Sequence, residues 1–279
     1  FGSELGVQNA GYNSFAADLV IVKDGNIRYA YYGDPNEHVY EFDETTGTLT
    51  IFKDFAADET AYFDDWDEFI GDIKKVVIRD GVTSIDKDAF SGCSKLTEIT
   101  IPATVTSIGN NAFTDCSNLT EITIPGKVTS IGTAAFLNCS KLTKIAIPAS
   151  VTSIGADAFN GCSSLTEITI PASVASIGAY AFANCSELKN VSFEGKDSPN
   201  YGGYLIFCDC PDDLVINVIE DYEGDEFCGL NVIKGAQLQG ETDASTNVGH
   251  MDEEDESSQP GFFKSAATSV YKFFTNIFS

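Results

Sequence analysis

The chain has 279 residues, of which 43% are hydrophobic, and this is enough to build a sizeable core and predicts a folded protein. Its 42 acidic residues outnumber 16 basic ones, so the formal net charge is -26. This charge argues against nucleic acid as a partner, because phosphate binding depends on cationic side chains, and against insertion into or attachment to an anionic membrane. No stretch reaches the roughly 18 consecutive apolar residues of a membrane-spanning helix.

Residues 1–72 are predicted to form a β-rich N-terminal module that caps one end of the fold. Alternating apolar residues predict four strands, at residues 18–22, 27–32, 39–42 and 48–51. The turn-forming stretches K-D-G-N and E-T-T-G separate two pairs of them. We expect Trp66, the only tryptophan, to cover the apolar end of the first repeat.

A 23-residue period governs the chain from Val82 to about Lys196. The frame V-T-S-I-G-x-x-A-F-x-x-C-S-x-L-T-E-I-T-I-P-A-x recurs five times and keeps its apolar residues in fixed columns. A unit of this length is too short to bury its own apolar face, so the copies must stack on one another. Residues 73–196 are therefore predicted to form an α/β repeat solenoid.

Each repeat is predicted to contain a short strand, a break and a short helical turn. In one copy, Ile99 and Ile101 alternate as the inward residues of a strand. Pro102 ends that strand because proline has no N–H to donate. The A-F-x-x-C phrase has helix-compatible spacing and predicts a turn or two of α-helix or 3₁₀-helix.

The repeat resembles the BspA-like, or Treponema pallidum type, leucine-rich repeats, whose I-P-x-x-V-T-x-I-G-x-x-A-F-x-x-C-x-x-L phrase it reproduces. The resemblance is strong over residues 73–196, and the upstream segment from Gly47 to Thr83 is similar to the module that precedes such arrays. It implies a leucine-rich-repeat array of 23-residue units that is secreted or displayed on a cell surface. The partner implied is a protein or glycan of a host, a matrix or a neighbouring cell, and no single ligand is implied.

The end of the array is predicted to diverge into a capping repeat at residues 197–235. Cys208 stands 23 residues after Cys185, and residues 214–216 predict a degenerate strand. Residues 236–261 are almost wholly polar and contain an acidic run at 252–256, which predicts a disordered linker.

Residues 262–279 predict an amphipathic helix beyond this linker. We expect the helix to dock on another copy or another protein, because its apolar side chains are costly to leave in water. Docking on its own solenoid and membrane binding are the alternatives. The apolar face contains Phe262, Phe263, Val270, Tyr271, Phe274, Ile277 and Phe278.

The eight cysteines fall into two groups. Five share one column of the repeat, and stacking turns that column inward, so we expect buried free thiols whose parallel side chains cannot form a disulfide. Cys208, Cys210 and Cys228 lie in the capping repeat, where we expect a disulfide from Cys228 to Cys208 or Cys210. Neither group has zinc-ligand spacing, and we expect no metal. The five column members are Cys93, Cys116, Cys139, Cys162 and Cys185.

Residues that alternate with the inward positions of each strand project outward and give a flat polar strip along the array. Such a strip suits the binding of a macromolecule, although the same residues are also favourable simply as solvent-facing strand residues. The candidate binding face contains Glu98, Thr100, Glu121, Thr123, Lys144, Glu167, Thr169 and Asn190.

Catalysis is not expected from this sequence. The two histidines, His38 and His250, fall in a capping loop and in the acidic linker, and no phosphate-binding glycine loop is present. We predict macromolecular recognition or adhesion without a cofactor. The alternative is a structural subunit that self-assembles into an extracellular fibre or coat through its C-terminal helix or solenoid edge. Asn-x-Ser/Thr sequons, which accept glycans in eukaryotes, occur at Asn118, Asn138, Asn184 and Asn190.

Overall fold

The chain divides into two units, residues 1–236 and 237–279. All residues that the computed structural model describes belong to the first unit. They are residues 3–4, 19–32, 38–54, 69–203 and 205–235.

The N-terminal module is an antiparallel β-meander that leads into the repeats. Its last strand pairs in parallel with the first strand of the array, so the meander extends one face of the solenoid. The rings of Phe42 and Phe69 stack with centroids 4.3 Å apart and close the apolar end of the first repeat. Trp66, which we expected at this end, lies outside the described residues. The meander strands are β1 (Ser3–Glu4), β2 (Leu19–Asp24), β3 (Ile27–Tyr32), β4 (His38–Asp43) and β5 (Thr48–Ile51).

Each repeat contributes two strands, one to each of two sheets. The strands within each sheet pair in parallel from repeat to repeat, and we call the two sheets the first face and the second face. The first face comes from the E-I-T phrase, and it continues beyond the repeats into β20, on which the short strand β19 pairs antiparallel. Its strands are β6 (Lys75–Ile78), β8 (Glu98–Thr100), β10 (Glu121–Thr123), β12 (Lys144–Ala146), β14 (Glu167–Ile170), β16 (Asn190–Phe193), β18 (Val215–Val218) and β20 (Leu230–Lys234), with β19 (Glu226–Phe227).

The second face comes from the S-I phrase, and its strands are only two residues long. Their register follows the repeat, since Ser130 pairs with Ser153 and Ser153 with Ser176. The strands are β7 (Ser84–Ile85), β9 (Ser107–Ile108), β11 (Ser130–Ile131), β13 (Ser153–Ile154), β15 (Ser176–Ile177) and β17 (Asn200–Tyr201).

The core lies between the two faces and is built from the apolar columns of the repeat. Val, Ile, Phe, Cys and Leu of every internal copy are buried. The phenylalanine rings stack with centroids 5.2 to 5.5 Å apart from one repeat to the next. A fully buried side chain of this size stabilises the fold by about 1.5–3 kcal/mol. The predicted repeat solenoid is therefore confirmed.

The α/β description is wrong, because the described residues contain no helix beyond a three-residue 3₁₀-helix, Ile70–Asp72. The A-F-x-x-C segments are turns that bond to the next repeat, as when Phe113 N donates to Ala135 O at 2.8 Å. Left-handed residues flank each phenylalanine; Asn111 has a φ of 54° and Asp115 a φ of 60°. Such residues interrupt a right-handed helix. The fold is a β-solenoid.

The last repeat contains two inserted residues, and this changes its register. Ser176 pairs with Asn200, which is one residue beyond the period, and Asn190 pairs with Val215, which is two beyond it. Phe207 consequently stacks on Phe182 and continues the phenylalanine column.

Candidate binding face

The first face presents the predicted strip to solvent. All eight predicted residues are exposed, and the strands hold them in two columns along the array. Glu121 is in register with Lys144, and Glu167 with Asn190. The residues between the two columns point into the core, and Ile122, Ile145, Ile168 and Val191 are buried there.

The strip contains one lysine, Lys144, among three glutamates, Glu98, Glu121 and Glu167. Lys75 Nζ lies 2.6 Å from Glu98 Oε1, and this ion pair is exposed, so it adds little to stability. Lys144 stands in register with Glu121 and one repeat before Glu167. Opposite charges on neighbouring strands attract each other and stabilise the sheet modestly. The strip is therefore polar and, with three glutamates against one lysine, acidic like the chain as a whole.

The five column cysteines are buried and free, as the sequence predicts. Each thiol after the first donates to a phenylalanine carbonyl of the preceding repeat; Cys139 Sγ lies 3.1 Å from Phe113 O. Burial raises the pKa of the Cys93 thiol to about 12 and that of Cys139 to the same value. These thiols are core residues and are unsuited to nucleophilic chemistry.

The disulfide expected from Cys228 to Cys208 or Cys210 is not formed in the structure. The two-residue insertion determines where Cys210 lies. It places Cys210, and not Cys208, in the cysteine column, where Cys210 Sγ donates to Phe182 O at 3.1 Å. Cys228 is buried elsewhere in the cap, and burial raises its pKa to about 12.

Three of the four sequon asparagines hold neighbouring repeats together. Asn118 Nδ2 donates to Ser94 O at 2.6 Å, Asn138 Nδ2 to Asp115 Oδ1, and Asn184 Nδ2 to Asn160 Oδ1. Asn190 instead lies exposed on β16 within the candidate binding face.

The remaining predicted elements fall beyond the described chain. Two predicted elements lie outside the described residues. They are the acidic linker at 236–261 and the amphipathic helix at 262–279, with its apolar face from Phe262 to Phe278. Within the described ranges, no helix is long and apolar enough to cross a membrane. The same part of the chain contains no cluster of three metal-ligating side chains.

Comparison with known proteins identifies the repeat. Six copies of the BspA type leucine rich repeat region match residues 68–211, which is just over half of the chain. No curated protein matches the sequence.

Solved structures of leucine-rich repeat proteins are also similar. The Treponema pallidum leucine rich repeat protein is 24% identical, with 63% of this chain and 88% of that chain covered and a TM-score of 0.49. A leucine rich cell surface protein of Faecalibacterium prausnitzii is 18% identical, with 78% and 95% covered and a TM-score of 0.30. The pneumococcal vaccine antigen PcpA is 14% identical, with 75% and 86% covered and a TM-score of 0.35. On the match of its repeats, the chain belongs to the BspA-type leucine-rich repeat family.

Proposed function

We propose that this protein is secreted or displayed on a cell surface and recognises a protein or glycan through its first face, without catalysis. The observation that carries the proposal is the exposed polar strip, held in two columns over five consecutive strands. A rigid backbone presents these side chains already in place, so binding costs little conformational entropy. An extended surface of this kind is how stacked-repeat proteins contact large partners.

The shifted pKa values among the described residues do not favour acid–base catalysis by these groups. Burial raises the pKa of the core thiols and of Tyr222. Hydrogen bonds donated by Thr46 and Thr45 lower the pKa of Asp43, and a hydrogen bond donated by Lys95 lowers that of Asp72. Every one of these pKa values moves away from neutrality, whereas a general acid or base is most effective with a pKa near the working pH.

Charge reversal on the strip tests the proposal. The triple variant Glu98→Lys, Glu121→Lys and Glu167→Lys should lose binding to an array of extracellular-matrix proteins and glycans. Its thermal stability should stay nearly unchanged, because exposed single charges contribute little.

The matched control reverses three exposed acids outside the strip, with the substitutions Asp80→Lys, Asp213→Lys and Glu220→Lys. It produces the same change in net charge and should retain binding. Equal loss of binding in both triple variants would show that net charge, and not the first face, controls recognition.

A measurement of molecular mass distinguishes self-assembly into a fibre or coat from recognition of a foreign partner. Light scattering of the full chain across a concentration series should show a constant mass if the strip serves a foreign partner. A mass that grows with concentration would favour the structural alternative.

A further inference from the structure

Three peptide bonds of the chain join an aspartate or an asparagine to a glycine. At such a bond the glycine nitrogen reaches the side-chain carbonyl carbon of the preceding residue easily, because glycine has no side chain to restrict the backbone. The five-membered imide that forms gives isoaspartate when water reopens it. Asparagine reacts faster than aspartate, because an ionised carboxylate resists attack by a nucleophile. The three bonds are Asp24–Gly25, Asp80–Gly81 and Asn160–Gly161.

The structure engages both reacting groups of Asn160–Gly161. Gly161 N, which would attack, donates to Ala183 O of the next repeat at 2.9 Å. Asn160 Nδ2 donates to Asp157 Oδ1 at 2.8 Å, and Asn160 Oδ1 accepts from Asn184 Nδ2 at 2.9 Å. Only 6% of Asn160 is exposed. Imide formation at this bond therefore requires local opening of two repeats.

Deamidation of Asn160 would also be costly for the fold. Among the described residues, Asn160 is the one polar or charged residue in the buried class. The reaction would replace its amide with a carboxylate beside Asp157, and two carboxylates within hydrogen-bond distance repel each other. A buried charge without a cationic partner destabilises the folded state.

Asp80–Gly81 lies in the opposite environment. The pair forms the corner turn between β6 and β7, where Val82 N donates to Arg79 O at 3.3 Å. Asp80 and Gly81 are exposed, and no described residue accepts from Gly81 N. Gly81 has a φ of 104°, and a Cβ atom built there would meet no atom beyond its chain neighbours within 4 Å. The nitrogen and the carboxylate are therefore open to reaction in the folded state.

The first repeat alone has this pair in its corner turn. Later repeats have Ala or Gly at the position of Asp80, and Thr, Lys or Ser at that of Gly81. Asp24–Gly25 is exposed as well, but Asp24 is the last residue of β2 and pairs with Ile27 in the antiparallel ladder. That pairing holds the backbone of Asp24 extended, so we expect a slower reaction there.

We propose that Asp80 is the main site of isoaspartate formation in this protein and that the fold suppresses the reaction at Asn160. Gly81 N bonds to Asp80 Cγ, a Cγ–O bond breaks, and water leaves with the amide proton. Water then adds to the former main-chain carbonyl carbon of Asp80, and the bond from that carbon to nitrogen breaks. The chain now continues through Cβ and Cγ, and no oxidant, reductant or enzyme is required.

The product changes the start of the array and not the first-face strip. It adds one backbone atom to the corner that precedes Thr83, whose N–H donates to Asp54 Oδ1 at 2.6 Å. The proposal does not rest on recognition by the first face, because it concerns neither the strip nor its partner.

The full-length Asp80→Asn variant compares two asparagine–glycine bonds in one folded chain. It is incubated at physiological pH and temperature, and deamidation is located by peptide mapping and mass spectrometry. Position 80 should deamidate faster than Asn160 by about tenfold or more, because Asn160 reacts only from locally open states. In concentrated urea the two rates should become similar. Equal rates in the folded protein would overturn the proposal.

The wild-type chain is tested with isoaspartyl methyltransferase and a labelled methyl donor. After incubation, most of the label should map to Asp80, and less to Asp24. Asp80→Glu is the control, because its longer side chain would have to close a larger ring, and it should remove most of the label. Label that remains undiminished in Asp80→Glu would show that the main site lies elsewhere.

Discussion

The buried cysteine column predicts a loss of stability in alkali that one substitution can isolate. Burial raises the pKa of the Cys139 thiol from 9.0 to about 12. The folded state therefore holds this proton more tightly than the unfolded state does. The contribution of the thiol to stability is intact below about pH 9 and is lost as the pH rises from 9 towards 12.

The magnitude follows from the size of the shift. One pKa unit corresponds to about 1.4 kcal/mol, so Cys139 costs the folded state about 1.4 kcal/mol at pH 10. The Cys139→Ala variant removes this titration, but it leaves a small cavity and deletes the contact from Sγ to Phe113 O. We expect it to be about 1 kcal/mol less stable than the wild type at pH 7. At pH 10 the two proteins should be nearly equal in stability.

Urea denaturation followed by circular dichroism in the presence of a reductant measures both values. The titration of lysine and tyrosine side chains affects wild type and variant alike, so it cancels in the difference between their free energies of unfolding. The control is Val151→Ala, a truncation in the same core without an ionisable group, whose stability deficit should not change with pH. A Cys139→Ala deficit that is also independent of pH would refute the assignment of the thiol as a deeply buried proton donor.

Two further predictions concern the ends of the array. Asp54 accepts hydrogen bonds from Thr83 N and Thr83 Oγ1, both at 2.6 Å, in the place of the carbonyl that a preceding repeat would supply. Asp54→Ala should lower the free energy of unfolding by about 1–2 kcal/mol, and Asp54→Asn should lower it by less because the amide oxygen still accepts a hydrogen bond. Equal losses for the two variants in urea denaturation would contradict the role of Asp54 as a hydrogen-bond acceptor for Thr83. Deleting residues 262–279 should abolish any self-association of the full chain in light scattering and leave liposome binding unchanged. If deletion instead removes liposome binding, the segment is a membrane anchor.

Much of the fold was determined by the sequence alone, because a strict period gives equivalent residues equivalent surroundings. Once Val, Phe, Cys and Leu recur every 23 residues, stacking must turn all of them inward, and they are buried in the structure. The same reasoning predicted free thiols at Cys93 to Cys185 and the exposure of the strip from Glu98 to Asn190.

Other features were decided only by contacts between repeats. The A-F-x-x-C spacing suits a helix locally, yet its N–H groups bond to the following repeat, as Phe113 N does to Ala135 O. The sequence period placed Cys208 in the cysteine column, but two inserted residues give that place to Cys210, whose thiol donates to Phe182 O. The close approach of consecutive repeats at Gly155, where a Cβ atom would lie 2.5 Å from Gly132 C, is likewise not revealed by composition. Periodicity thus determined which residues face inward, whereas hydrogen bonding between stacked repeats decided the local conformation and the final register.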